Sequence, residues 1–143
     1  MNNPVKISTL TEHFVTSLDA HGFLSRYAPA IINQNRAIEL VKAYEAGQRD
    51  FRRVDLRGVT LEDVDLTGID LSGADLSTAS LTNVDLSEAK LIEAKFINAE
   101  LTHVQLRQAN LSRANLRGAT LTHTPLVTAT LRGTVLPNGR TSD

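Results

Sequence analysis

The 143-residue sequence has no cysteine, no tryptophan, one methionine and six aromatic residues. Without thiols it has no disulfide, no thiol nucleophile and no zinc–thiolate or iron–sulfur site. With 4% aromatic but 41% hydrophobic residues, a core must be built from tightly packed small and medium aliphatics. Charge of one sign is also missing. A formal net charge of −1 supplies no overall attraction to nucleic acid or to an anionic membrane. The first residues, Met1-Asn2-Asn3-Pro4-Val5-Lys6, lack the apolar stretch of a secretory signal. No apolar run is long enough to span a bilayer. The expectation is one soluble, cytoplasmic domain with a small appendage.

What is present is a period of five. From Phe51 to Leu136 an apolar residue recurs at every fifth position, eighteen in all, sixteen of them Leu and two Phe (Phe51 and Phe96). Two residues before each stands Val, Ile or Ala, with Arg49, Thr124 and Thr134 as the exceptions. Five residues on an α-helix advance about 500°, which makes no stripe. On a straight strand an odd period flips successive leucines between faces. Both conflicts vanish if the chain turns a corner every five residues. The leucine and the residue two before it then share the inside.

A second period sets the cross-section. Leu81-Thr82-Asn83-Val84 returns twenty residues on as Leu101-Thr102-His103-Val104, then as Leu121-Thr122-His123-Thr124. On that side the small inner position holds Val64, Val84, Val104 and Thr124; a neighbouring side holds Ala74, Ala94 and Ala114. Twenty residues are four segments, hence a square coil, with residues twenty apart stacked about 4.8 Å from each other. Eighteen pentapeptides predict an all-β solenoid of about 4.5 coils, roughly 22 Å tall at that spacing.

The units Ala74-Asp75-Leu76-Ser77-Thr78, Ala109-Asn110-Leu111-Ser112-Arg113 and Ala114-Asn115-Leu116-Arg117-Gly118 resemble the A-(D/N)-L-X-X motif of the pentapeptide-repeat proteins. The resemblance covers about Arg49 to Asn138 and implies a right-handed quadrilateral β-helix. Tyr44-Glu45-Ala46-Gly47-Gln48-Arg49-Asp50-Phe51 is similar to the lead-in of cyanobacterial members.

The predicted organisation is a small α-helical segment over 1–48, the β-helix over 49–139 and a tail over 140–143. In the first part, Thr9-Leu10-Thr11-Glu12 reads as a capping box ahead of Phe14, Val15 and Leu18, with Gly22 as the stop. Pro29 is expected to open a second helix carrying Ile31, Ile32, Ile38, Val41 and Tyr44, closed by Gly47. These helices are expected to cap the first coil beside Phe51; the other reading is a partner-binding or dimerising module. Pro137-Asn138-Gly139 ends the repeat.

Residues arranged for chemistry are few. His103 and His123 stand on one corner of adjacent coils, with no third strong ligand for a metal. Glu62, Asp63, Asp65 and Asp70 straddle successive corners and lack the glycine-rich spacing of calcium-binding β-helices. Ser72, Ser77, Ser87 and Ser112 have no adjacent His–Asp pair. The Asn110-Leu111-Ser112 sequon is a by-product of the motif. No phosphate loop or dinucleotide fingerprint appears. No enzyme activity, cofactor or metal is expected.

Charge placement says more. Residues 50–88 hold nine acids and three bases, and residues 89–143 hold three acids and seven bases, so the balanced total conceals an axial dipole. Asp55 over Asp75 and Asp65 over Asp85 are like-charge rungs. Lys90 over Asp70 and Lys95 over Asp75 are favourable ones. Ile92 and Ile97 occupy outward positions that are mostly polar, flanked by Lys90, Lys95 and Arg117; Val127 and Val135 are further cases. The predicted function is a non-catalytic protein-interaction scaffold, monomeric or homodimeric. Its candidate contact residues are Ile92, Ile97, Lys90, Lys95, Arg117, Asp55, Asp65, Asp75 and Asp85. Direct nucleic-acid binding is not expected. Resemblance to the quinolone-resistance members of the family implies an alternative, DNA mimicry acting on type II topoisomerases. Those members, however, are longer, strongly acidic dimeric rods. An architectural role through stacking of coil ends is the third reading.

Overall fold

The computed structural model describes residues 23–143, so the capping box at Thr9–Glu12 and the helical spacing of Phe14, Val15 and Leu18 lie outside the described residues. One helix, α1 (Phe23–Glu45), precedes four three-residue strands: β1 (Thr60–Glu62), β2 (Ser80–Thr82), β3 (Glu100–Thr102) and β4 (Thr120–Thr122). The strands form a parallel sheet in sequence order, with Leu61, Leu81, Leu101 and Leu121 in register. The twenty-residue step read from the sequence is therefore the pairing step. Three further ladders run at the same step on the other sides: Asp50-Asp70-Lys90-Asn110-Thr130, Asp55-Asp75-Lys95-Asn115-Val135 and Asp65-Asp85-Gln105. The last stops before Pro125, which has no N–H to give the Val104 carbonyl.

Every frame residue from Phe51 to Leu116 is buried, together with the small residues two before it from Val59 to Ala119. Corners are made in two ways. After Phe51, Leu56 and Leu66, and at their equivalents in later coils, the frame carbonyl accepts the N–H three residues on; examples are Val59 to Leu56 at 3.3 Å and Ala79 to Leu76 at 3.1 Å. After the strand leucines Leu61, Leu81 and Leu101 no such bond closes the corner. That is the side whose next inner residue is Val64, Val84 or Val104. Valine thus follows each open bend, and alanine occurs only after closed β-turns, which Val54, Val59 and Ile69 also follow. Two residues after each frame residue from Phe51 to Leu121, and again after Leu131, the backbone turns left-handed, from φ 49° at His123 to φ 72° at Gly118.

The motif's Asp or Asn has a mechanical role. Each accepts the backbone N–H two residues on, as in Ser72 to Asp70 (3.0 Å), Ser77 to Asp75 (3.0 Å), Ser87 to Asp85 (2.9 Å) and Ser112 to Asn110 (3.0 Å). These Asx turns hold the entry to the closed corners that carry an Asp or Asn.

The inner exceptions are equally local. Thr134 is fully buried and donates to the Leu111 carbonyl at 2.7 Å. The buried Thr124 hydroxyl accepts the Val104 N–H at 3.1 Å and lies 3.2 Å from the Leu101 carbonyl. It serves an open corner of the coil before. Arg49 stays outside, its guanidinium 3.8 Å from the centre of the Tyr44 ring and donating to the Tyr44 carbonyl at 2.8 Å.

Helix α1 corrects one expectation. It begins at Phe23, six residues before Pro29, which therefore lies inside it. Proline's fixed φ is helical, and its cost is one missing N–H plus a clash one turn back. At an exposed position, water can satisfy the freed carbonyl. The other end agrees with the sequence reading. Gly47 is left-handed at φ 104°, and the bonds Gly47 to Tyr44 and Gln48 to Ala43 close a Schellman motif. Ala37, Leu40 and Val41 join the same apolar cluster as Phe51 and Leu56. Arg36 pairs with Asp55 at 3.3 Å, and the Tyr44 hydroxyl donates to the Thr67 carbonyl at 2.8 Å.

Candidate functional site

Stacking of coils turns residues twenty apart into columns, and the columns assemble the surface. At the corner after Phe51 two columns run side by side. One is Arg52, Ser72, Ile92, Ser112 and Arg132; the other is Arg53, Gly73, Glu93, Arg113 and Gly133. Ile92 is half-buried and floors two adjoining grooves. One is lined by Asp50, Arg52, Arg53 and Gly73, the other by Ser112, Arg113, Arg132 and Gly133. The glycines leave notches, and an arginine stem lies across each. A methyl on Gly73 would meet Arg53 Cγ at 3.2 Å, and one on Gly133 would meet Arg113 Cγ at 3.3 Å.

The acids are held by their neighbours. Asp50 takes a two-pronged contact from Arg52, with Nη2 to Oδ2 at 2.8 Å, and its carboxyl falls from the ordinary 3.8 to about 2, chiefly through that side-chain hydrogen bond. Asp55 is lowered to about 2, first by the hydrogen bond from Arg57, with Arg36 of α1 adding to it. The Thr67 hydroxyl, donating at 2.6 Å, lowers Asp65. Glu93 pairs with Arg113 at 3.0 Å. Burial pushes the Tyr44 phenol up.

Of the residues singled out in the sequence, Asp55, Asp65, Asp75 and Asp85 all spend an oxygen on their own Asx turn. Lys90 stands over Asp70 and Lys95 over Asp75 in backbone register. Among the described residues no ion pair joins them; the carboxylates bond sideways, not along the column. Lys90, Lys95 and Arg117 are exposed, and Ile97, half-buried, lies directly beneath Arg117 on the next corner from Ile92. The two isoleucines are on adjacent corners, and Ile97 lines neither of the grooves that Ile92 floors. Arg52, Arg53, Arg113 and Arg132, which do meet around Ile92, were not singled out. Writing the sequence in columns of twenty would have shown them.

The His103 and His123 rings stack face to face, with centroids 4.7 Å apart and planes 5° from parallel. Nitrogen lone pairs lie in the ring planes, so stacked rings do not converge on one ion. Below them Asn83 donates to Asp63 at 2.7 Å. No group of three or more metal-ligating side chains occurs among the described residues.

The pentapeptide-repeat family model matches in eight copies over residues 50–73, 69–104 and 94–133. Among solved structures, the chain is similar to HetL, a pentapeptide-repeat protein involved in heterocyst differentiation regulation from the cyanobacterium Nostoc sp. strain PCC 7120. The two are 38% identical with a TM-score of 0.65, over 67% of this chain and 40% of HetL. It is also similar to AT2G44920, a pentapeptide-repeat protein of the Arabidopsis thaliana thylakoid lumen, at 32% identity and a TM-score of 0.53, over 58% of this chain and 61% of that one. The chain thus spans less than two thirds of either relative. The fluoroquinolone-resistance protein QnrB1 matches at 21% identity with a TM-score of 0.39. No curated protein sequence matches. Pentapeptide-repeat proteins form right-handed quadrilateral β-helices, and this chain belongs to that family.

Proposed function

We propose that this chain is a non-catalytic scaffold that binds another protein through the sides of its coil. In this reading residues 49–139 are one rod of about 4.5 coils, residues 1–48 are its helical cap and 140–143 its tail. The observation that carries it is the half-buried Ile92 between exposed arginines on a backbone tied rung to rung by hydrogen bonds. A rigid surface loses little entropy on binding. Its Asp and Asn side chains are held by their own turns, which favours recognition over turnover. The site of action we propose is the cytoplasm; no helix among the described residues is long and apolar enough to cross a membrane.

Affinity capture from the source cell tests the reading, with the Ile92→Ser/Ile97→Ser double variant alongside. A specific partner retained by the wild type and weakened in the variant supports it. Absence of any specific partner overturns it. DNA mimicry of the type II topoisomerase substrate is the second reading, favoured only by the acid rungs Asp50 to Asp85. Lys90 and Lys95 reverse the sign of the same ladders. Undiminished gyrase supercoiling at micromolar protein would dismiss it. End-to-end assembly is tested by sedimentation, where a monomer over a wide concentration range is the opposing result.

A further inference from the structure

The two grooves that share Ile92 make one continuous feature along a corner of the coil, and its charges are unequal in a useful way. Arg52 is neutralised by Asp50 at 2.8 Å and Arg113 by Glu93 at 3.0 Å. Arg53 and Arg132 are exposed, and no carboxylate lies within ion-pair distance of either among the described residues. They stand four rungs apart, ~19 Å at the parallel spacing. Ile92 lies midway, half-buried and flanked by the notches at Gly73 and Gly133.

We propose that this corner binds an acidic, extended segment of a protein partner. Two of its carboxylates meet Arg53 and Arg132, and an aliphatic side chain between them rests on Ile92. The inference rests on the scaffold reading above and names the chemistry of its partner. An extended chain rises ~3.3 Å per residue, so the two carboxylates are about six residues apart. The charge pattern selects this occupant over others. A nucleic-acid strand carries a phosphate at every step, and those midway between the ends would face Glu93. It also offers nothing apolar to Ile92. A second copy of this chain fits poorly, because its acids are mostly stacked on successive rungs, as Asp65 and Asp85 are, about 4.8 Å apart.

The test uses the full chain and three fluorescent probes at low ionic strength, followed by anisotropy. The first is an eight-residue blocked peptide with paired glutamates at both ends and a central leucine. The second replaces that leucine by serine, and the third is an eight-nucleotide thymidine strand. The leucine peptide should bind at least five-fold more tightly than either of the others. Arg53→Glu/Arg132→Glu should weaken it ten-fold or more and Ile92→Ser about five-fold, with unchanged circular dichroism. Equal binding of the thymidine strand would assign the corner to polyanions and overturn the proposal. So would unchanged affinity in the arginine double variant. Capture from cells separates the two levels. A partner retained equally by wild type and the arginine variant overturns the groove and leaves the scaffold standing.

Discussion

The two ends of the coil solve the same problem with different means. At the first coil α1 lays Ala37, Leu40 and Val41 over the frame, leaving Phe51 8% exposed and Leu56 fully buried. At the last coil a short hairpin folds back on the repeat. Gly139 donates to Leu136 and Leu136 to Arg140, Val135 pairs antiparallel with Thr141, and Ser142 bonds to Thr134. This hairpin shields one stretch of edge. Among the described residues no strand pairs beyond β4, Leu121, Leu126 and Leu131 are only half-buried, and Val127 is 88% exposed. In a stack where each coil meets only its neighbours, stability is nearly a sum over interfaces. The covered end should therefore hold more firmly than the hairpin end.

The strongest way to break that contrast is to remove the cover. Leu40→Asp places an unpaired charge against the first coil and should cost about 3–5 kcal/mol, read as a loss of melting temperature. A matched pair sharpens it. Leu56→Ala should cost about 2–5 kcal/mol, and the half-buried Leu136→Ala clearly less in the same denaturant titration. Thr134→Val keeps the shape and removes one of the two donors to the Leu111 carbonyl, which retains the Ala114 N–H, a loss of about 0.5–1.5 kcal/mol. Gly139→Ala strains a left-handed residue by about 1–2 kcal/mol. Hydrogen exchange should accelerate at Leu136 and Ser142 and stay unchanged at the first coil.

The smallest effect is with acid. Asp50 and Asp55 titrate at about 2 instead of 3.8. A carboxyl with a depressed folded value stabilises above its unfolded value, and that contribution is lost as pH falls from about 4 through 2. Both lie on the first coil, and Asp55 also holds Arg36 of α1. Exchange should therefore rise first at the first coil and α1. Asp55→Asn should flatten that response. An equal response at the hairpin end would contradict the assignment.

Much of this was legible because the repeat is local arithmetic. The leucine frame, the step of twenty, the Gly47 stop and the axial charge division follow from spacing. The start of α1 was not, since Pro29 suits both a first turn and a solvated interior position. Nor was the cause of the Asp/Asn preference. The sequence stacks Asp50 with Asp70, Asp55 with Asp75 and Asp65 with Asp85, which suggests repulsion. Only the backbone reveals that each turns to accept its own neighbour's N–H. Ile92 and Ile97, five apart, stand on adjacent faces of one coil. The partners of Ile92 are twenty and forty residues away.

By itself the sequence determined that the chain turns every five residues and stacks every twenty, because no straight helix or strand can bury that pattern. The structure decided which corners close by hydrogen bonds, which hydroxyls serve the open ones and which arginines gather around Ile92. Those are matters of direction between coils, where a few ångströms choose the partner, and one-dimensional spacing carries no direction.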